Sequence, residues 1–324
     1  MTAPLIERGR FAPTPSGALH VGSARTALAS ALAAWSVGGR WVLRVEDLDA
    51  ARTAPGALDA MLDDLRWLGL AWDEGPGADA PHAPYAQRER AGLYREALSV
   101  LVESGRAYPC ACSRREVEGA SQAPHGAEPV YPGTCGVLDP DAVMARARAL
   151  GRGVSWRFRV DPARGAVTVY DRVAGAFAQD VARDVGDFVV YRADGVAAYQ
   201  LAVVVDDIAM EVTEVVRGDD LLASTPRQVL LYEALGASPP RWAHVPLVLG
   251  DDGARLAKRH GAMGVRELRR RGRDPRALVD ALLATLGLHS DGRPLRALAR
   301  GWDVGRVPRA APRWIVAQES IEAG

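Results

Sequence analysis

The sequence predicts an α/β fold in which helices cover a parallel sheet, with a loop-rich insertion and a short helical C-terminal part. Strand and helix signals alternate over the first 105 residues, which favours a parallel sheet. All three cysteines and many glycines and prolines fall within residues 105–136, a composition typical of loops. The residues after about 262 carry helix signals and no strand signals.

Five elements are predicted in the first part. Residues 6–11 form a short strand, and a Pro/Gly turn leads into an Ala/Leu-rich helix over 23–35. Residues 41–45 (WVLRV) have the composition of a buried strand. Residues 57–68 repeat apolar side chains every 3.6 positions, and residues 88–104 form another amphipathic helix.

The later part mixes strands with helices. We expect strands at 154–160 and 167–173, and a strand pair over 187–199 that turns at an Ala-Asp-Gly sequence. A Thr-Pro pair at 225–226 predicts the start of a helix, because proline suits the first helical position. Residues 244–249 are predicted as a last buried strand.

The composition excludes several classes of protein. A hydrophobic content of 48% with 25% charged residues indicates a folded chain, not a disordered one. The N-terminus lacks a signal-peptide core, and no apolar run approaches the ~18 residues of a membrane span. Three cysteines cannot pair completely, so we expect a cytoplasmic protein without a disulfide framework.

The charge is balanced, with 40 basic and 40 acidic residues, but 39 of the basic residues are arginine. The single lysine, Lys258, therefore stands out, since arginine does not replace lysine where a compact point charge is needed. Residues 255–276 hold nine basic and two acidic residues, a net charge of +7. Such a stretch suits RNA phosphates, although it is also compatible with a solvated helix face.

Three segments carry candidate chemistry. Residues 10–23 (RFAPTPSGALHVGS) place a turn before a helix start, which is either a phosphate site or merely a tight turn. Residues 44–49 (RVEDLD) put carboxylates at a strand end, where an ammonium group can bind, although taken alone the pattern slightly favours a solvated acidic loop. Residues 255–259 (RLAKR) suit a polyphosphate whose charge grows in the transition state.

These segments, together with residues 215–236 (VVRGDDLLASTPRQVLLYEALG), resemble class I aminoacyl-tRNA synthetases of the glutamyl/glutaminyl branch. HVGS at 20–23 is similar to the HIGH signature, and RLAKR at 255–259 to the KMSKS signature. The resemblance covers about residues 8–262 and implies a Rossmann-like catalytic domain. The second signature is altered, because Arg255 replaces its first lysine and Ala257 its central serine.

The resemblance also implies an activity. Only 65 residues follow Arg259, too few for the helical anticodon-binding region of the full-length members, so we expect a small member of the branch. Small members activate L-glutamate with ATP and Mg²⁺ without tRNA, and attach it to the queuosine base in the anticodon of tRNA(Asp). We expect a monomer with no membrane partner. The alternatives are a truncated enzyme that charges tRNA(Glu), or a non-catalytic RNA- or nucleotide-binding relative.

The substrate contacts of the family are transferred to the matching positions of this chain. The implied glutamate-binding residues are Arg10, Phe11, Ala12, Pro13, Thr14, Glu46, Tyr199 and Arg217. The implied ATP-binding residues are His20, Gly22, Arg255 and Lys258, and His20 and Lys258 are also the implied catalytic residues. Considered without the motif, Tyr199 is better explained as a core aromatic, and Arg217 as the ion-pair partner of Asp219 or Asp220.

The three cysteines form a further candidate site. The spacing of Cys110, Cys112 and Cys135 suits a structural Zn²⁺ ion, which needs a fourth ligand. Physically, His125 is the usual choice, whereas the resemblance implies Tyr131. The alternative is three free thiols.

We divide the chain into four predicted parts. Residues 1–105 and 187–262 are the two halves of the catalytic domain. Residues 106–186 are an insertion that holds the zinc site and the acceptor-binding region, and residues 263–324 are a helical C-terminal subdomain.

Overall fold

The computed structural model describes residues 6–49, 53–78, 80–120, 130–250, 252–254, 256, 264–315 and 320–322. A four-stranded parallel sheet forms its centre, in the order β2-β1-β8-β9. Its strands are β1 (Arg8–Phe11), β2 (Arg40–Leu43), β8 (Glu214–Gly218) and β9 (Arg241–Val245). The chain leaves β1 toward β2 and later returns to the other side of β1. The predicted α/β class with a parallel sheet is confirmed.

Helix α1 (Val21–Ser36) packs tightly against this sheet. Alanines and leucines make up half of its sixteen residues, and twelve of the sixteen are buried. The close approach requires a glycine in the strand, since a Cβ at Gly9 would lie 3.0 Å from the Cβ of Ala34. Small side chains therefore set the short distance between helix and sheet.

The chain between β2 and β8 contains two antiparallel sheets. The first has the order β3-β4-β7, and the second is the β5–β6 hairpin. The helices and strands from β2 to β8 are α2 (Ala57–Trp67), α3 (Ala91–Glu103), β3 (Ala107–Cys110), α4 (Arg114–Ala120), α5 (Pro140–Ala149), β4 (Ser155–Phe158), β5 (Val167–Asp171), β6 (Gly175–Gln179), α6 (Val181–Asp184), β7 (Phe188–Tyr191) and α7 (Tyr199–Ala209).

The C-terminal part packs on α1 through a buried arginine. Arg25 donates to the hydroxyl of Thr285 (2.8 Å) and to the carbonyl of Pro246 (2.8 Å). It thus joins the helix, the C-terminal part and the chain after β9. The remaining elements are α8 (Thr225–Ala234), α9 (Val265–Arg270), α10 (Pro275–Thr285), α11 (Leu295–Leu298), β10 (Arg313–Ile315) and β11 (Ser320–Glu322).

Three element predictions are wrong in detail. The C-terminal part is helical as expected, but it ends in the antiparallel pair β10–β11, where the buried Trp314 is paired with Ile321. The expected strand pair over 187–199 reduces to β7 and one bridge, because the apolar run after Tyr199 forms helix α7. The last parallel strand ends at Val245, since Pro246 has no amide hydrogen to donate.

A membrane-crossing helix is not found within the described ranges, because no helix there is both long and apolar enough. The division into four parts stays a prediction.

Buried charges join α7 to the elements around it. The Asp206 carboxylate is inaccessible to solvent and accepts hydrogen bonds from Gln87 (2.7 Å), Arg90 (2.6 Å) and Tyr94 (3.0 Å). Arg44 lies 3.6 Å away. A buried carboxylate is tolerated at such a position because cations and donors surround it.

We predict that Asp206→Asn destabilises the protein by about 3–5 kcal/mol, because it leaves the buried guanidinium of Arg90 without its counter-charge. Urea unfolding followed by circular dichroism measures the change. Asp184→Asn is the matched control, since Asp184 pairs with Arg183 on the surface and should matter by less than about 1 kcal/mol. Equal losses in the two variants would contradict the prediction.

Candidate active site

A cavity of about 530 Å³ lies beyond the carboxyl ends of β1 and β8. The strand order reverses between these two strands, which is where open α/β sheets bind ligands. Ten of the predicted substrate-binding residues line it: Arg10, Phe11, Ala12, Pro13, Thr14, His20, Gly22, Glu46, Tyr199 and Arg217. The structure thus assembles positions that are far apart in the sequence, and their roles stay predictions.

His20 lies at the start of α1, facing this cavity. It is the N-cap residue, and its Nδ1 accepts from the backbone N–H of Ser23 (3.3 Å). A Cβ at Gly22 would lie only 3.3 Å from two atoms of the imidazole ring, so glycine at this position avoids a close steric contact with the ring. The helix N-terminus and an imidazole therefore point to one region, an arrangement suited to an anion.

Four residues of the predicted ATP-binding loop lie outside the described residues: Arg255, Ala257, Lys258 and Arg259. The described residues beside them are fixed near the cavity. Leu256 lines it, and its backbone N–H donates to the carbonyl of Val248 (3.0 Å). On the other side, Val265 donates to the carbonyl of Leu19 (2.7 Å), beside His20.

A network of buried charges forms the floor of the cavity. The Asp207 carboxylate accepts from Arg10 (3.3 Å) and from Arg44, which also donates to Glu46 (3.2 Å). Burial would raise the pKa of Asp207, but the two guanidinium groups outweigh it and hold the pKa below its usual value. Burial dominates at Glu46 and raises the pKa of its carboxyl.

The guanidinium group of Arg217 forms hydrogen bonds along one edge, whereas a donor on its other side is unused. Its Nε donates to Nε2 of His244 (2.9 Å), and its Nη2 donates to the Thr225 hydroxyl (2.9 Å). The guanidinium lies over the ring of Trp242, 4.9 Å from its centre. Nη1 is buried and has no hydrogen-bond partner among the described residues. A buried cation with an unused donor in a cavity is suited to a carboxylate ligand.

Behind Arg217, His244 contacts Asp171 of the β5–β6 hairpin, at 2.6 Å between Nδ1 and a carboxylate oxygen. Burial would raise the pKa of Asp171, but hydrogen bonds from His244 and from the backbone of Ala174 bring it to about 2. Burial lowers the pKa of His244, and the charge of Arg217 lowers it further, against the opposing effect of Asp171.

The three cysteines converge in the insertion, as predicted for a metal site. Their sulfur atoms lie within 4.8 Å of one another, and those of Cys112 and Cys135 are 3.5 Å apart. The Tyr131 hydroxyl lies 3.4 Å from the sulfur of Cys110 and 3.8 Å from that of Cys112. Tetrahedral zinc with ~2.3 Å Zn–S bonds needs sulfurs about 3.8 Å apart, so the donors fit such an ion. His125 lies outside the described residues.

Several residues around the substrate cavity were missed from sequence alone. Arg44, Asp171, Asp207, Thr225 and His244 all support predicted contacts. One signal was available, since an Asp-Asp pair directly after five apolar residues in a helix must be buried and compensated. For Asp171 and His244 no local pattern exists, because only the folded insertion brings them together.

Comparison with known proteins identifies the family. The family model "tRNA synthetases class I (E and Q), catalytic domain" matches residues 8–294. The chain belongs to this family. A glutamyl-Q tRNA(Asp) synthetase of Symbiobacterium thermophilum is 51% identical over 97% of both chains. A protein of the same name from Nocardia farcinica is 45% identical over 97% of this chain and 94% of its own.

Longer members of the family are also similar. Glutamate–tRNA ligase 1 of Halorhodospira halophila is 47% identical over 94% of this chain and 64% of its own length. The crystal structure of a glutamate tRNA ligase from Elizabethkingia meningosepticum, in complex with its amino acid, superposes with a TM-score of 0.84. It is 28% identical and covers 97% of this chain and 68% of its own. The chain is thus a ligase of the aminoacyl-tRNA synthetase type, a class that uses ATP with Mg²⁺.

We predict that burial of His244 makes the stability of the protein depend on pH. The pKa of His244 is lower in the folded protein than in the unfolded chain, so the unfolded chain binds a proton at this imidazole first as the pH falls through about 6.5. The contribution of His244 to the free energy of unfolding is therefore complete above about pH 6.5. Below that pH it decreases by at most about 1.4 kcal/mol per pH unit. Urea unfolding between pH 7 and 5 should show this slope, and His244→Gln should flatten it. A variant with the wild-type slope would contradict the assignment.

Proposed function

We propose that the chain activates L-glutamate with ATP to glutamyl-adenylate without RNA, and transfers the glutamate to the queuosine base in the anticodon of tRNA(Asp). The main support is the 51% identity to a glutamyl-Q tRNA(Asp) synthetase over 97% of both chains. Because that RNA is cytoplasmic, the proposal places the protein in the cytoplasm.

The charges in the cavity fit a glutamate ligand, which carries two carboxylates and an ammonium group. Arg217 offers an unused donor, and Arg10 adds a second guanidinium beside it. Glu46 lies in the same cavity as a counter-charge for the ammonium group, and Tyr199 completes the lining. Arg10 is already paired with Asp207, so we assign the stronger carboxylate contact to Arg217.

In the first step a glutamate α-carboxylate oxygen attacks the α-phosphorus of ATP. A new O–P bond forms as the bond to the leaving pyrophosphate breaks. No general base is needed, since the carboxylate is already ionised, so positioning and charge stabilisation supply the catalysis. We assign phosphate contacts to His20, Gly22 and the start of α1, and stabilisation of pyrophosphate to Lys258 with Arg255. When bound, Mg²⁺ supplies further charge neutralisation on the phosphates.

In the second step a hydroxyl oxygen of queuosine attacks the activated carbonyl carbon, and the bond from that carbon to the AMP phosphate oxygen breaks. AMP leaves, and the hydroxyl proton passes to its phosphate or to solvent. The nine basic residues in 255–276 provide positive charge for the RNA backbone.

Two measurements test the proposal. Glutamate-dependent ATP–pyrophosphate exchange without RNA should be positive, and its absence would overturn tRNA-independent activation. Radiolabelled glutamate should appear in the anticodon loop of queuosine-containing tRNA(Asp). Label at the terminal adenosine of tRNA(Glu) would instead support the activity named for the longer relatives.

Lys258→Arg should slow the exchange by more than about tenfold, because a planar guanidinium cannot place a point charge on the leaving group. Arg300→Lys, at an exposed position, is the control and should leave the rate unchanged. A wild-type rate in Lys258→Arg would rule out the assigned role.

We further propose that Cys110, Cys112, Cys135 and Tyr131 hold one structural Zn²⁺ ion. The Tyr131 oxygen accepts from the backbone N–H of Cys135 (2.8 Å), which orients it toward the three thiols. Arg157 stacks 3.7 Å from the centre of the Tyr131 ring and donates to the Cys110 sulfur (3.3 Å). This guanidinium would offset the negative charge of such a ligand set.

We expect about one zinc per chain by elemental analysis, and a loss of most of it in Cys112→Ser. Tyr131→Phe should weaken zinc retention against a chelator by about tenfold or more, whereas Tyr170→Phe, at an exposed tyrosine, should not. His125→Ala separates the two candidate ligands, because zinc lost only in this variant would identify His125 instead of Tyr131.

A further inference from the structure

The β5–β6 hairpin of the insertion reaches the central sheet at one point behind the substrate cavity. Asp171, at the end of β5, is buried and holds His244 of β9 by two kinds of contact. Its oxygens accept from the His244 backbone N–H at 3.0 Å and from the ring nitrogen Nδ1 at 2.6 Å. His244 in turn contacts Arg217. A chain of three buried side chains therefore links the insertion to the cavity.

The partners of His244 determine its tautomer. Arg217 can only donate, so Nε2 of the imidazole must be the acceptor in their 2.9 Å hydrogen bond. An ionised Asp171 can only accept, so Nδ1 must carry the proton. The ring is therefore neutral with the proton on Nδ1, and this is the form in which both contacts are hydrogen bonds.

This tautomer decides where the guanidinium of Arg217 points. With Nε on His244 and Nη2 on Thr225, the plane of the group is fixed and Nη1 remains for a ligand. A proton on Nε2 would set two donors against each other at 2.9 Å. The guanidinium would then have to rotate or withdraw, and the donor offered to the cavity would move with it.

We propose that Asp171 and His244 are positioning residues for glutamate binding, which hold Arg217 in the orientation that presents Nη1 to a substrate carboxylate. The inference rests on the proposed function. Neither residue lines the cavity, so each acts through Arg217 and not by touching the substrate. The hairpin that carries Asp171 thereby gives the insertion an influence on amino-acid affinity.

Asp171→Asn is the sharpest test, since it removes one negative charge and turns one acceptor oxygen into an NH₂ donor while preserving the shape of the side chain. The Oδ1 atom accepts from the backbone N–H groups of Val173 (2.9 Å), Ala174 (2.8 Å) and His244 (3.0 Å). An asparagine must keep its oxygen there, which places its NH₂ group against Nδ1 of His244. The imidazole must then accept at Nδ1 and carry its proton on Nε2, facing Arg217.

In ATP–pyrophosphate exchange, Asp171→Asn should raise the KM for glutamate by about tenfold or more, with the KM for ATP within about twofold of wild type. Asp303→Asn is the matched control. Asp303 is exposed and accepts from Arg172 of the same hairpin without touching His244, so both KM values should stay at wild type. An unchanged KM for glutamate in Asp171→Asn would overturn the proposal, as would an equal rise in both KM values.

Two substitutions of His244 keep the proposal testable if Asp171→Asn does not fold. Glutamine can place its amide oxygen near Nε2 and accept from Arg217, whereas asparagine reaches Asp171 and leaves Arg217 without an acceptor. The KM for glutamate should be at least about fivefold lower in His244→Gln than in His244→Asn. The reverse order, or equal values, would overturn the proposal.

Calorimetric binding of L-glutamate separates this inference from the proposed function. Wild-type protein that binds L-glutamate but shows no exchange would overturn the function and leave the positioning role to be judged from binding alone. Equal glutamate affinity in wild type and Asp171→Asn would overturn the positioning role and leave the function standing.

Discussion

The cavity depends on two adjacent aspartates in the buried part of helix α7. Asp206 faces Arg90 and Tyr94, while Asp207 faces Arg10 and Arg44. Placing these charges away from water is unfavourable, and it is tolerated only because each carboxylate meets several donors at once. The same pairing fixes Arg10 at the end of the central strand. Any movement of the cavity floor would therefore separate a buried charge from its partner, which is unfavourable.

Arginine is suited to this architecture in a way that lysine is not. Seven arginines in the described ranges are buried, and several bridge two or three groups with their fixed fork of donors: Arg8, Arg10, Arg25, Arg44, Arg90, Arg157 and Arg217. At these positions the planar group is needed, since an ammonium group could not reach the same partners.

Much of the fold followed from the sequence, because its elements carry local signals. Composition predicted α1 and the strands beside it, and a 3.6-residue periodicity predicted α2, each to within a few residues. Helix α7 was missed because its apolar run, buried on all sides, has no face to reveal its period. Strands β10 and β11 are three residues each and depend on tertiary packing, so no local pattern marks them.

The residues of the candidate site likewise fall into a group that local sequence patterns predicted and a group that they did not. The residues that line the cavity were predicted because they belong to short sequence motifs. The residues that support them, such as Asp171 and His244, belong to none of these motifs. Asp171 lies in the insertion and His244 in β9, 73 positions apart, and either alone resembles an ordinary polar residue. Only their contact shows that the orientation of Arg217 is set by an element outside the central sheet. The insertion is thus coupled physically to the cavity, because a shift of its hairpin would change the proton position on His244 or break the contact of His244 with Arg217.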